Sequence, residues 1–230
     1  MHSPLGRDKI FVIIAAFNEE RMIGNVAAQV CRLGYQTVVV DDGSKDGTRL
    51  EAFRGGALVI EHPFNLGQGA ALQTGIDFAL RQGAEVIVTF DADGQHSASE
   101  IAPLVQTLES RHADFALGSR FLDNSSDIPL ARRLLLKAAI AFTRLTTGLK
   151  LTDAHNGLRA MTRRGAEAIR LRQNRMAHAS EMLSQIAVSG LPYVEQPVTI
   201  QYTAYSLAKG QKAKDSVLIL MDLVARALYR

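Results

Sequence analysis

The chain has 230 residues, 47% of them hydrophobic, with a formal net charge of +3, which is enough apolar material for one large α/β domain that needs no staples. Its one cysteine, Cys31, excludes an internal disulfide and points to a reducing cytoplasm. The opening MHSPLGRDKI carries no apolar run ahead of a cleavage site, and no stretch reaches the roughly 18–20 uninterrupted apolar residues of a membrane span, so neither a signal peptide nor a bilayer crossing is expected.

In chain order, residues 9–16 (KIFVIIAA) form a short continuous apolar run, as in a parallel strand buried on both faces. Residues 19–33 have helical spacing and stop at Gly34. A second strand over 37–40 ends in Asp41-Asp42-Gly43-Ser44, after which Ser44 or Asp46 can cap a helix to about Phe53. A strand at 58–61, a helix at 69–82, a strand at 85–90 (EVIVTF), a helix at 99–110 and a strand at 115–118 follow. This alternation predicts an α/β fold with a mostly parallel sheet flanked by helices. Beyond residue 120 the rhythm changes to helices at 130–149, 164–172 and 180–189, a strand at 197–202 and a closing helix at 216–229. With no linker or repeat, the chain reads as one domain.

In parallel sheets, ligands bind beyond the carboxyl ends of the strands, where the polar clusters of this chain fall. Asp91-Ala92-Asp93 places two carboxylates on one short turn, and Gln95 adds a neutral oxygen. Hard cations such as Mg²⁺ or Mn²⁺ take oxygen ligands of this kind, with a diphosphate supplying more. Asp41 or Asp42 can accept from a base N–H or a ribose hydroxyl, although an Asp-Gly turn explains the same letters. Gly67 and Gly69 open a helix whose N-terminus favours anions, and loop flexibility explains them equally well. No glycine lies between Ala16 and Glu20, which counts against a dinucleotide oxidoreductase.

Charge is segregated. Residues 1–119 hold 9 Lys/Arg against 15 Asp/Glu, whereas residues 120–175 hold 12 against 4. The basic stretch calls for an anionic partner such as nucleic acid, phospholipid headgroups or a phosphorylated substrate. Without tryptophan or interleaved aromatics, nucleic acid is the poor match. Residues 130–149 combine Arg132, Arg133, Lys137 and Arg144 with a broad apolar face. Both this helix and the one expected at 216–229 can lie in a lipid interface or face a protein core.

The motifs FVIIAAFNEE, VVVDDGSKDGT, NLGQGAALQTG, FDADGQH, LGSR and TDAHNGLRA resemble, in order and spacing, glycosyltransferase family 2, closest to its dolichol-phosphate mannose synthase type and the bacterial polyprenyl-phosphate relatives. The resemblance spans about residues 9–205. It implies a GT-A fold, with a nucleotide-sugar part at about 9–119 and an acceptor- and membrane-facing part at about 120–230. It further implies a metal-dependent, inverting transfer from a GDP- or UDP-sugar to a lipid phosphate, at the inner face of the cell membrane.

By matching position, Ala15, Phe17 and Glu19 with Asp41 or Asp42 resemble the nucleotide pocket. Asp91, Ala92, Asp93 and Gln95 resemble the metal and diphosphate turn, and Arg120 a residue near the acceptor phosphate. Asp153 resembles the site wall, and is the candidate base should the acceptor be a hydroxyl. His96 and His155 fall inside family motifs, and Glu181 matches an acidic position. Ala15 replaces the family's usual proline. Gln201 and Ser206 lie near positions where relatives often carry arginine, with Lys209 and Lys212 as possible substitutes. The alternatives are transfer to a sugar hydroxyl, and nucleotide-sugar binding without catalysis.

Overall fold

The computed structural model describes residues 6–123, 130–154, 156–173 and 177–201. The closing helix expected at 216–229, and Ser206, Lys209, Lys212 and His155, lie outside the described residues. Seven strands form one sheet: β1 (Ile10–Ala16), β2 (Gln36–Asp41), β3 (Leu58–Glu61), β4 (Val86–Asp91), β5 (Phe115–Ser119), β6 (Arg159–Thr162) and β7 (Tyr193–Pro197). Their spatial order is β3-β2-β1-β4-β6-β5-β7. All neighbours run parallel except β6, which is antiparallel to both β4 and β5.

Alternation along β1 builds two cores. Ile10, Val12 and Ile14 face α1 (Ile23–Arg32) and α4 (Ile101–Ser110) through Val26, Val30, Leu104 and Leu108. Phe11 and Ile13 face the other layer. That layer contains α3 (Gln68–Arg81), α5 (Leu130–Thr147), the short α6 (Arg163–Glu167) and α7 (Ala177–Ser189). The remaining helix, α2 (Thr48–Arg54), follows the loop after β2. Strands buried on both faces read as continuous apolar runs, which is why β1, β2 and β4 were legible in sequence.

Four expectations change. The helix expected from residue 19 begins at Ile23, because Glu19 N–H donates to the Thr48 hydroxyl (2.7 Å) and Glu20 N–H to Asp46 (3.3 Å). Asp46 also accepts from Thr48 N–H (3.0 Å), whereas Ser44 offers its hydroxyl to Asn18 N–H (2.8 Å) and caps no helix. The helix expected over 164–172 ends at Glu167. Beyond it, Arg170 and Leu171 N–H donate to Gln185 and Gln73 side chains in place of an i−4 carbonyl. The strand expected over 197–202 lies instead at Tyr193–Pro197, where proline, lacking an N–H, closes it.

Helix α3 lies tightly against the sheet. A Cβ at Gly75 would stand 2.2 Å from Ile13 Cγ2. Gly75→Ala is therefore expected to destabilise the protein by about 1–3 kcal/mol, read as a lower urea midpoint with an unchanged m-value.

Candidate functional site

The carboxyl ends of β1, β2 and β4 are in register: Ala15 lies opposite Asp91, and Ala16 opposite Asp41. The loop after β1 is laced to the loop after β2. Asn18, in a left-handed conformation (φ 54°), accepts from Lys45 N–H (3.0 Å), and Glu20 accepts from Gly47 N–H (2.9 Å). Phe17, 40% exposed, stands at the rim of this laced pair.

The two aspartates of the second cluster have different surroundings. Both are buried, but the Asp42 carboxylate is the more heavily engaged, accepting from Leu66 N–H (2.9 Å) and Gly67 N–H (2.7 Å) and pairing with His62 Nδ1 (2.8 Å). His62 Nε2 in turn meets the Thr74 hydroxyl (3.0 Å), so Asp42 holds the 62–67 loop against α3. Asp41 Oδ1 accepts from Ser44 N–H (3.0 Å). Gly69 is explained by packing: a Cβ there would fall 2.2 Å from the Gln173 carbonyl oxygen and 2.8 Å from His178 Cβ.

Asp91 ends β4, and Asp93 follows on the turn, its Oδ1 accepting from Gln95 N–H (3.0 Å). The Gln95 carbonyl accepts from Gln201 N–H (2.9 Å), which ties the turn to the chain beyond β7. Ala92 between the two acids is buried. Burial raises the pKa of Asp91, against the lowering fields of Arg159 and Arg120. Burial, then the Asp91 charge, pushes Asp93 up to about 6, and Glu19 adds to both shifts. His96 follows, buried against the Phe90 ring, and burial brings its imidazole down to about 4.

Sequence reasoning missed three features here. Because β6 runs antiparallel, its first residue, Arg159, lies opposite Thr89 and brings the 151–158 loop to the carboxyl end of β4. Gly157 of that loop sits on the Asp91 carboxylate: a Cβ would fall 2.3 Å from Oδ2 and 2.4 Å from Oδ1. The loop is fixed by the Thr89 hydroxyl, which donates to the Gly157 carbonyl (2.7 Å). Arg159 is buried beside Asp91, its Nε donating to the Asn156 carbonyl (3.0 Å), and burial lowers its pKa to about 10. Glu195 of β7 accepts from Thr152 N–H (2.8 Å) and Asp153 N–H (3.1 Å), bracing the loop from the far side. No spacing in the sequence signals any of these contacts.

Arg120 and Asp153 form a buried bidentate ion pair, Nε to Oδ2 at 2.6 Å and Nη2 to Oδ1 at 2.7 Å. Proton abstraction by Asp153 would require breaking this pair, so the geometry favours an anchoring role for it. Beside the pair opens a groove of about 760 Å³, lined by Arg133, Lys137, Ile140, Arg144 and Leu145 of α5, with Phe121 and Thr152. Its lining includes Phe121, which follows Arg120, and Thr152, which precedes Asp153, although neither member of the ion pair lines it.

Among the described residues no group of three or more His, Cys, Asp or Glu forms a protein cage for a metal. Two neighbouring carboxylates whose charged forms are both disfavoured by burial, with the Asp91 charge adding to the effect at Asp93, fit an ion such as Mg²⁺ or Mn²⁺, which takes one or two carboxylates and completes its shell with phosphates and water. Glu181 does not meet this turn in its recorded bonds; it accepts from Arg172 and Gln173 N–H.

A doubly flanked, mostly parallel sheet with one inserted antiparallel strand and acidic side chains at the ends of its parallel strands is an α/β architecture of the GT-A type. The chain belongs to glycosyl transferase family 2, whose family model matches residues 11–170. It is 33% identical to the UDP-N-acetylglucosamine–dolichyl-phosphate N-acetylglucosaminyltransferase of Methanococcus voltae, over 87% of this chain and 89% of that protein. It is 36% identical to an uncharacterised protein of Methanocaldococcus jannaschii, over 98% of this chain and 95% of that one. It is 33% identical to the polyprenol monophosphomannose synthase of Mycolicibacterium smegmatis, over 71% and 65% respectively. Its fold matches that of glucosyl-3-phosphoglycerate synthase from Mycobacterium tuberculosis, solved with Mn²⁺, UDP-glucose and phosphoglyceric acid (TM-score 0.73, 19% identity, covering 97% of this chain and 79% of that one).

The raised Asp93 pKa has a consequence for stability. The folded state holds this proton more tightly than the unfolded chain, so the stabilisation it gives is fully present below about pH 4 and lost as pH rises through about 6. Without ligand at pH 7, Asp93→Asn is expected to be more stable than wild type by about 1–3 kcal/mol, with the difference vanishing near pH 4. Thermal melts across that range check this.

Proposed function

We propose that this glycosyltransferase moves a sugar from a UDP- or GDP-sugar onto the phosphate of a polyprenyl-type lipid, working as one domain at the cytoplasmic surface of the cell membrane. The observation that carries this is the groove along α5, where Arg133, Lys137 and Arg144 stand with Ile140 and Leu145, and whose lining includes Phe121 and Thr152, the chain neighbours of the paired Arg120 and Asp153. That combination suits an anionic head on an apolar tail. The names of the Methanococcus and Mycolicibacterium relatives support the same acceptor class. Among the described residues no helix is long and apolar enough to cross a membrane, so the proposed contact is peripheral, through α5.

On this reading, Asp91 and Asp93, with Gln95 beside them, hold Mg²⁺ or Mn²⁺ with the donor diphosphate. The bound ion supplies charge neutralisation for the leaving diphosphate. Ala15, Phe17, Glu19 and Asp41 face the nucleotide, and Asp42 and Gly69 shape its pocket from behind. Arg120, positioned by Asp153, presents positive charge between the donor diphosphate and the acceptor phosphate. An acceptor phosphate is already ionised near neutral pH, so single displacement with inversion at the anomeric carbon needs no side-chain base. That agrees with Asp153 being committed to Arg120.

Incubation with Mn²⁺, a panel of UDP- and GDP-sugars and dolichyl or undecaprenyl phosphate should yield a lipid-linked sugar. Asp93→Ala should abolish it while retaining the folded state by circular dichroism; a fully active, well-folded Asp93→Ala protein would overturn the assignment. Lys137→Ala should raise the KM for the lipid acceptor several-fold, about 1 kcal/mol, with donor binding unchanged. Flotation with anionic liposomes at low salt tests the membrane contact, and no binding there counts against it.

A further inference from the structure

A buried imidazole without a partner lies beside the Asp91 carboxylate at the end of β4. Neither ring nitrogen of His96 has a hydrogen-bond partner, although its side chain is fully buried (0% exposed). The Asp91 side chain, 32% exposed, accepts no hydrogen bond among the described residues. Nε2 of His96 stands 3.6 Å from Asp91 Oδ2, just beyond hydrogen-bond range. Buried polar side chains are nearly always paired, and the exceptions call for an explanation. Packing does not provide one, because a phenylalanine or leucine would fill the space beside the Phe90 ring without an orphaned nitrogen.

We propose that His96 is the positioning residue for Asp91: its Nε2–H closes onto Oδ2 when the carboxylate engages a divalent cation, fixing which oxygen lone pairs face the ion. The approach needed is about 0.5 Å. No existing hydrogen bond of either ring nitrogen opposes the Nε2–H tautomer. Gly157 already abuts both carboxylate oxygens, so the carboxylate has little freedom to turn, and a donor from the His96 side completes its orientation. Carboxylates that bind metals are themselves hydrogen-bonded by an outer shell, and loss of such a partner typically weakens metal binding by about 10–100-fold. This inference rests on the reading of Asp91 and Asp93 as the cation-holding pair.

The test is Mn²⁺ affinity rather than turnover. Free Mn²⁺ is followed by its paramagnetic resonance signal during titration in the presence of UDP or GDP, with melting temperature measured on the same samples. His96→Phe retains the ring packing and removes the donor. It should melt at or above the wild-type temperature without ligand, while its apparent Kd for Mn²⁺ rises about 10-fold or more. His96→Leu, likewise without a donor, takes its place if the phenylalanine variant does not fold. Mn²⁺ affinity equal to wild type in either folded variant, with or without a change in melting temperature, would make His96 a packing residue and overturn the proposal. Mn²⁺ binding absent from the wild-type protein would remove the reading of the Asp91–Asp93 pair, and this inference with it.

Discussion

Everything at the candidate site turns on how closely the backbone at Gly157 approaches Asp91. Gly157 lies where any side chain would overlap both carboxylate oxygens, and the Thr89–Gly157 hydrogen bond locks that approach from within the same strand. The approach exists because β6 enters the sheet antiparallel, from the end where β4 leaves it. An all-parallel continuation would have needed a crossover before the chain could return to the sheet. One reversed strand therefore brings both Gly157, just ahead of it, and Arg159, its first residue, to Asp91.

That closeness sets the electrostatics. Asp91 and Asp93 stand near each other, and Glu19 adds a third negative field. Arg120 and Arg159 oppose it from the buried side. Arg159 carries its charge at a desolvation cost, visible in a guanidinium pKa brought down to about 10. Arg120 is relieved of that cost by Asp153, through two parallel bonds of the kind that fix a planar guanidinium in direction as well as in charge. Glu195, whose own pKa is raised by burial against the N–H groups it accepts, holds the loop bearing Asp153 and so indirectly aims Arg120. Pairs of this kind specify geometry more than they add stability.

How much of this was readable in the chain depended on the range of the contact. The strands β1, β2 and β4 announce themselves as continuous apolar runs, and the acids at their ends fall where parallel sheets bind ligands, so Asp41, Asp91 and Asp93 were visible. Strand β6 was not: Arg-Ala-Met-Thr is four residues opening on an arginine, and its burial is decided by partners from β4 and β5. The Asp41–Asp42 ambiguity could not be settled from two identical letters. It is separated by the 62–67 loop, whose amides and His62 claim the Asp42 carboxylate. Glu195 and the Arg120–Asp153 pair bridge 42–43 and 33 residues, and no local pattern encodes either.

The same geometry bears on the chemistry of the acceptor. A hydroxyl nucleophile would require a carboxylate free to take its proton, and Asp153, the one acid the 151–158 loop carries, spends both oxygens on Arg120. An ionised phosphate makes the opposite demand: no base, but positive charge close enough to bring two anions together. Arg120 lowers the pKa of Asp91, and its chain neighbour Phe121 lines a groove whose walls hold Arg133, Lys137 and Arg144. On the proposed reading, the Arg120 guanidinium supplies positive charge toward both anions from a buried setting, where such charges act more strongly than in water. On that reading, the contact that commits Asp153 to Arg120 is thus the one that suits an acceptor already carrying its charge.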